Sequence, residues 1–297
     1  MKDHRWLIGL IACATASFTA HAAEPDGLKV YISVDMEGVA GVVDSRQASD
    51  GNGDYERFRR VMTAEANAAI QGALDAGATE ILVNDSHGSM RNLMIEDLLA
   101  PAQLISSNIK PLGMVQGLDR SFDAAVFIGY HAKAGSAEGV LAHTGSGSVR
   151  DLRVNGMSVG EGGLNAYAAG FVGVPVVLVS GDQVVVEEMR KLVPQIEGVA
   201  VKQAIGTTAA RSLRPEEAQM AIRSGVARAL ANRKEVGPLV PKSPTRFEME
   251  LSSAALAANA EQIPMIERKD GNRIAFQSDD FHRGYRFVRF LYKMPTP

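Results

Sequence analysis

A chain of 297 residues, 46% apolar and 22% charged, can bury a full core as one large or two small domains. The apolar fraction and the balance of charges are those of an ordinary globular protein. With a formal charge of −3 there is no basic excess, so no nucleic-acid partner is expected.

The chain begins with Lys2 and Arg5 before an apolar stretch, Trp6 to Phe18, and Ala20-His21-Ala22 has the small–x–small pattern of a cleavage site. The stretch is shorter than the ~20 apolar residues a spanning helix needs. Residues 1–22 therefore read as a secretory signal peptide cut before Ala23, in preference to an uncleaved anchor or to lipidation at Cys13 in Leu10-Ile11-Ala12-Cys13. The expected location is periplasmic or secreted, with no stable membrane insertion after processing. Cleavage removes Lys2, Arg5 and Asp3, a net +1, so −3 becomes −4. It also removes Cys13, the only cysteine. Disulfides, thiolate zinc sites, iron–sulfur clusters and cysteine catalysis are thereby excluded, and any metal must be held by His, Asp and Glu.

After a linker at Glu24–Gly27, Leu28–Val34 reads as a buried strand. It ends in Ser33-Val34-Asp35-Met36-Glu37-Gly38. Asp35 and Glu37 point to the same side of an extended segment, and two anions that close require a positive charge beside them. A loop follows over Gly38–Gly53. Asp54–Asp75 is helical, with Tyr55, Phe58, Val61, Met62, Ala66, Ala69, Ile70, Ala73 and Leu74 recurring at three and four, and Gly77 closes it. Glu80–Asn84 is the next strand, and strand–helix–strand favours a parallel pair. A short helix is expected over Met90–Leu99, a brief strand at Leu104–Ser106 and a clear strand at Ala124–Gly129. Val149–Val154 alternates before the hairpin signal Asn155-Gly156. Glu161–Phe171 reads as a helix, Val174–Val179 as an apolar strand, and Asp182–Leu192 as a helix with Asp182 as its N-cap.

In the last third, Val199–Ala204 reads as a strand and Pro215–Arg233 as an amphipathic helix with Pro215 in its first turn. A Pro-rich linker, Gly237–Pro244, leads to a strand at Phe247–Leu251 and helices at Ser252–Gln262 and Asp280–Tyr292. The predicted class is α/β: a mixed, mostly parallel sheet with helices on both faces, plus a smaller C-terminal α+β portion. Residues 23–236 would form the metal-binding catalytic domain, and residues 237–297 an extension packed on it.

Sites in open α/β sheets form outside the carboxyl ends of the strands. Asp35, Glu37, Asp85, His87, His131 and Asp182 all lie just past such ends. Carboxylates and imidazoles gathered there suit a borderline divalent cation such as zinc. Simpler roles are open to several of them. Asp35 can cap a loop. Glu161 can sit at a helix start for its dipole alone. Asp85 can hold the His87 ring or cap its own loop. Asp182 is best read as a cap, and His282 as a structural histidine.

Taken together, Ser33-Val34-Asp35-Met36-Glu37-Gly38, Val83-Asn84-Asp85-Ser86-His87, Gly129-Tyr130-His131-Ala132, His143-Thr144, and Val154-Asn155-Gly156 followed by Gly160-Glu161 resemble the DppA-type zinc D-aminopeptidases. The resemblance runs in order from about Lys29 to about Lys202 and more loosely beyond. It implies a site for two zinc ions ligated by Asp35, Glu37, His87, His131 and Glu161, with Asp35 as the bridge, and His143 as the catalytic residue. It implies hydrolysis of short peptides with an N-terminal D-amino acid, such as D-Ala-D-Ala, by a homo-oligomer, with a decamer as the specific expectation. Two other classes compete. Another dinuclear metallohydrolase, an amidase or a phosphoesterase, would need basic residues near the site, for which Lys133 and Arg91 are candidates. A periplasmic metal- or peptide-binding protein would be expected to show two similar lobes, and the chain shows no duplication.

Overall fold

The computed structural model describes residues 27–294; the predicted signal peptide and Cys13 lie outside them. The elements in chain order are β1 (Leu28–Val34), α1 (Tyr55–Asp75), β2 (Ala78–Asp85), β3 (Gln103–Ile105), β4 (Ala124–Tyr130), β5 (Val149–Val154), β6 (Met157–Ser158), α2 (Glu161–Phe171), β7 (Val176–Asp182) and α3 (Gln183–Leu192). They continue as β8 (Glu197–Gly206), β9 (Ala209–Ser212), α4 (Pro215–Ala231), β10 (Thr245–Leu251), α5 (Ala254–Glu261), β11 (Glu267–Arg268), β12 (Arg273–Ser278) and α6 (Phe281–Tyr292).

Seven strands form one sheet in the order β3-β2-β1-β4-β7-β8-β9. All its pairings are parallel except β8 with β9. Helices α1 and α4 pack on each other and on this sheet, while α2 and α3 pack together on β7. Strands covered on both faces read as continuous apolar runs rather than alternating ones. Accordingly β4, Ala124–Tyr130, is buried at every position, and Val30, Tyr31, Ile32 and Val34 of β1 are fully buried.

A second, antiparallel sheet has the order β11-β12-β10-β5-β6. Its β10 alternates buried and half-buried positions, as a strand with one covered face should. Helix α6 packs on β10 and β12 and also touches α2, so it bridges the second sheet to the helical layer of the first. The architecture agrees with the predicted class. The second sheet draws β5 and β6 from the middle of the chain, paired by β10 along Phe247–Leu251. Among the described residues no helix is long and apolar enough to cross a membrane.

One local expectation needs correction. Met90–Leu99 is not a helix; only Ile95–Asp97 makes a single 3-10 turn. Met90 has φ +56, and the backbone N–H groups of Asn92 and Leu93 both donate to the Asp85 carboxylate at 2.5 and 2.7 Å. These anchors draw the backbone away from a helical path. Strands β9, β11 and β12 carry no such expectation. All three are short and bear charged residues at exposed positions, so their apolar periodicity is weak.

Candidate metal centre

Strand β1 lies between β2 and β4, with Val34 opposite Asp85 on one side and Ile128 on the other. The chain winds from β1 to β2 and β3 in one direction and then returns to place β4 on the other flank of β1. Such a switch point leaves a crevice at the carboxyl ends of the strands. Asp35 follows β1, His131 follows β4 and His87 lies two residues beyond β2. The loop after β1 is pinned to β4: Asp35 N donates to Ile128 O and Gly38 N to Gly129 O, both at 2.8 Å. A Cβ on Gly129, which has φ +69, would lie 2.2 Å from Asp35 O, so the strand ends can approach this closely only with glycine there.

Glu161 opens α2, and its Oε1 accepts the Gly145 N–H at 2.7 Å. His143 stands on the loop after β4, its ring stacked on that of His131 at 4.1 Å between centroids. All six residues singled out for the site therefore meet. His87 Nδ1 lies 2.9 Å from Glu37 Oε2 and 3.2 Å from Asp35 Oδ1. His131 Nε2 lies 3.5 Å from both Asp35 Oδ2 and Glu161 Oε1. His143 Nε2 is 3.4 Å from Glu161 Oε1 and 3.9 Å from Glu37 Oε1.

The outward ring nitrogens fix the tautomers. His87 Nε2 bonds Ala48 O at 2.6 Å, His131 Nδ1 bonds Ala132 O at 2.9 Å, and His143 Nδ1 bonds Leu141 O at 2.9 Å. A carbonyl only accepts, so each of these nitrogens carries a hydrogen. In the neutral rings the inward nitrogens are then lone pairs, as metal ligands need. Those lone pairs face carboxylate oxygens, with nothing positive between them. Asp35 Oδ2 and His131 Nε2 are buried without any hydrogen-bond partner.

The electrostatics carry the same message. Burial, with the Glu37 carboxylate next, pushes Asp35 up to about 8. Burial opposes charge on His131, yet the Glu161, Glu37 and Asp35 carboxylates raise it to about 10. His87 is likewise raised well above the usual imidazole value against its burial, first by Glu37. The cluster lacks positive charge. Asp35, Glu37 and His87 offer ligand atoms within 4.8 Å of one another, and so do Asp35, His131 and Glu161. Glu37, His131 and His143 form a third such trio, and Asp35 is common to the first two. An all nitrogen-and-oxygen donor set with unpartnered atoms fits a borderline divalent cation.

Surrounding groups hold the cluster in place. Lys202 Nζ donates to the backbone carbonyls of Glu37, Val39 and Val42, and Glu65 Oε1 accepts the Ala40 N–H at 2.8 Å. Behind the strand ends runs a hydrogen-bonded chain. Tyr285 OH donates to Asn165 Oδ1 at 2.7 Å, Asn165 Nδ2 donates to Tyr130 OH at 3.0 Å, and Tyr130 OH lies 2.7 Å from Ser33 Oγ. Asp85 does not hold His87. Both its oxygens are engaged by Asn92 and Leu93, and it caps the loop. Asp182 caps α3 through Val184 and Val185 and accepts the Val140 N–H, so it too is structural. His282 bonds Ala168 O at 3.1 Å, away from the cluster.

A cavity of about 150 Å³ opens over the cluster, and Asn165, Tyr285, Arg289 and Tyr292 share its wall with the ligands. A wider, more open groove meets the cluster at Glu37, His87 and His143. Lys133 and Arg91 line neither; Arg91 lies 3.7 Å from Asp50. The residues that sequence reasoning missed are Lys202, Glu65, Asn165 and the polar stripe of α6. The signal available for the last was Tyr285, Arg289 and Tyr292 at i, i+4 and i+7, polar groups sharing one side of an amphipathic helix.

The model of the D-aminopeptidase family of peptidases matches residues 28–290. The chain is 42% identical over 260 residues to a D-aminopeptidase of Bacillus subtilis (strain 168), covering 87% of this chain and 94% of that one. The fold matches the solved Zn-dependent D-aminopeptidase DppA from Bacillus subtilis, a self-compartmentalizing protease, with a TM-score of 0.87 and 41% identity over 89% of this chain and 96% of that one.

Proposed function

The chain belongs to the D-aminopeptidase family of peptidases, and from that premise we propose that it uses two zinc ions to remove an N-terminal D-amino acid from short peptides such as D-Ala-D-Ala. The observation that carries the proposal is the pair of buried, unpartnered atoms Asp35 Oδ2 and His131 Nε2, set 3.5 Å apart at the heart of the carboxylate–imidazole cluster. Asp35, Glu37 and His87 would hold one ion, and Asp35, His131 and Glu161 the other, so that Asp35 bridges. When bound, such a pair supplies Lewis acidity to the scissile carbonyl and an activated water near neutral pH.

The chain's own groups do the rest. The carbonyls of Ala48 and Ala132 orient the ligand imidazoles. Lys202 holds the loop that carries Glu37. The side chain of His143 is 32% exposed and borders both cavities, so it can touch a substrate. Its Nδ1–H is engaged by Leu141 O. Nε2 is therefore a lone pair in the neutral ring, which favours attack or proton abstraction. Donation to the tetrahedral oxyanion requires the ring to take up a proton first.

Measurement of zinc per subunit, paired with release of D-Ala from D-Ala-D-Ala, tests this reading. The expected result is two zinc ions, chelator-sensitive turnover, and slower cleavage of L-Ala-p-nitroanilide than of its D-form. Equal cleavage of the two forms would overturn the stereochemical part, and a metal-free active protein the whole.

Two further parts of the reading concern setting. Assembly into a homo-oligomer is supported by the likeness to a self-compartmentalizing protease; the decamer is the specific form we propose, and light scattering behind size exclusion tests it. Export to the periplasm or medium is supported by the Lys2–Ala22 sequence; N-terminal sequencing of the fractionated protein should read Ala23 first.

A further inference from the structure

The cavity over the candidate metal cluster is walled by α6, and two of its side chains there carry a buried polar atom with no hydrogen-bond partner. Tyr285, Arg289 and Tyr292 share one stripe of the helix and all line the cavity. Tyr285 OH is engaged by Asn165 Oδ1. In contrast, Arg289 Nη1 and Tyr292 OH are buried polar atoms without a hydrogen-bond partner. A desolvated guanidinium N–H and a desolvated phenol left unpaired are costly, and unpaired atoms on two side chains that line one cavity point to a ligand that completes them.

The backbone around them is shaped to admit these side chains. A Cβ on Gly113, at φ +46, would stand 0.6 Å from Arg289 Nη1. A Cβ on Gly145, at φ +73, would stand 2.2 Å from the Tyr292 ring. Arg289 is thus seated on one left-handed glycine and Tyr292 on another. Gly145 is the residue whose N–H is bonded by Glu161, so the seat of Tyr292 adjoins a metal ligand directly.

The charge decides what enters. A short peptide presents an ammonium at one end and a carboxylate at the other. A guanidinium repels the first and pairs with the second, commonly through two parallel N–H donors. The cavity is small, about 150 Å³, which leaves room for only one or two small residues after the scissile bond.

We propose that Arg289 and Tyr292 bind the free C-terminal carboxylate of the substrate, so that the site selects dipeptides and the shortest peptides with an unblocked C-terminus. The amino end then lies on the other side of the cluster, toward the open groove bordered by Glu37 and His143. This inference rests on the aminopeptidase reading above.

The test compares D-Ala-D-Ala with its C-terminal amide on the full zinc-loaded chain and on Arg289→Met and Tyr292→Phe. Wild type should favour the acid over the amide by about 10- to 100-fold in kcat/KM, the range of one or two charge-assisted hydrogen bonds, with the difference in KM. Arg289→Met should abolish that preference, and Tyr292→Phe, which keeps its ring on Gly145, should reduce it. Equal use of acid and amide by wild type overturns the proposal, as does an Arg289→Met variant that keeps the preference. Calorimetric binding of the same two ligands separates this inference from the reading it rests on. Tighter binding of the acid, lost in Arg289→Met, supports the carboxylate site even where no turnover is seen. Indifference of binding to the amide cap overturns it.

Discussion

Asp35 Oδ2 and His131 Nε2 face each other at 3.5 Å, both buried and neither hydrogen-bonded. They stand at the ends of neighbouring parallel strands, 131 − 35 = 96 positions apart in the chain. Two acceptors in that position repel unless a proton or a cation lies between them.

Asp35→Asn should therefore remove more than one ligand's worth of affinity, because Asp35 belongs to two of the three trios. The expected metal content is one zinc or fewer per subunit, with kcat/KM reduced by at least about 10³-fold. Elemental analysis after gel filtration, beside the kinetic assay, checks it. Retention of two tightly held ions by the variant would refute the bridging role.

Removal of His143 should spare the metals. His143→Ala is expected to lower kcat by about 10²- to 10⁴-fold, the range of a positioned acid–base or nucleophilic group, while zinc content stays at the wild-type value. His143→Gln, which can donate a hydrogen bond but cannot attack or take up a proton at neutral pH, should be as slow as Ala if Nε2 acts as a lone pair. Recovery of activity in the Gln variant would assign it to oxyanion donation.

Lys202 should matter to the metal without touching it. Its ammonium is buried and holds three carbonyls of the loop that bears Glu37. Lys202→Met leaves the Glu37 and Val42 carbonyls without that donor, while Val39 O keeps the Val42 N–H, at a cost of about 2–4 kcal/mol. Glu37 should be freed to move, and zinc affinity should weaken by about 10- to 100-fold. Competition titration with a chromogenic chelator reads the affinity, and denaturant unfolding reads the stability.

Glu65 gives a pH dependence of known sign. Burial, against the Ala40 N–H bond and the Lys202 charge, raises its carboxyl from 4.5 to about 7. The folded state then holds this proton more tightly than the unfolded state. Its contribution is full below about pH 4.5 and is lost as pH rises to about 7, with the slope ending there. The loss is about 3 kcal/mol from the size of the shift. Glu65→Gln cannot titrate, so the stability of wild type relative to the variant should fall between pH 5 and 7 and level off above. Urea unfolding of both at several pH values measures the difference; a flat difference would contradict the assignment.

Much of this molecule was legible in the chain itself. The continuous apolar runs of β1, β4 and β7 announced strands covered on both faces. Asp182 announced the start of α3, and Asn155-Gly156 the hairpin between β5 and β6. These features are local, because a cap, a two-residue turn or a run of β-branched residues acts within a few positions. Four of the five candidate ligands were legible for a related reason: Asp35, Glu37, His87 and His131 follow the ends of parallel strands, which end along one edge of a sheet, whereas Glu161 opens α2 and was legible only through the family resemblance. Met90–Leu99 misled because its apolar spacing suits a helix, whereas a carboxylate on β2 decides its path through Asn92 and Leu93.

The sequence by itself thus determined which residues could ligate a cation and that they would gather at a sheet edge. Only the tertiary structure decided that Asp85 caps its own loop and does not hold His87, and that Lys202 and α6 border the cluster at all. The last two depend on contacts across 120 to 165 positions of chain, and all of them on which orientation each side chain is left once the core is packed. No periodicity encodes such contacts. They follow from the strand order, which brings β1 between β2 and β4 and lays α6 across the opening.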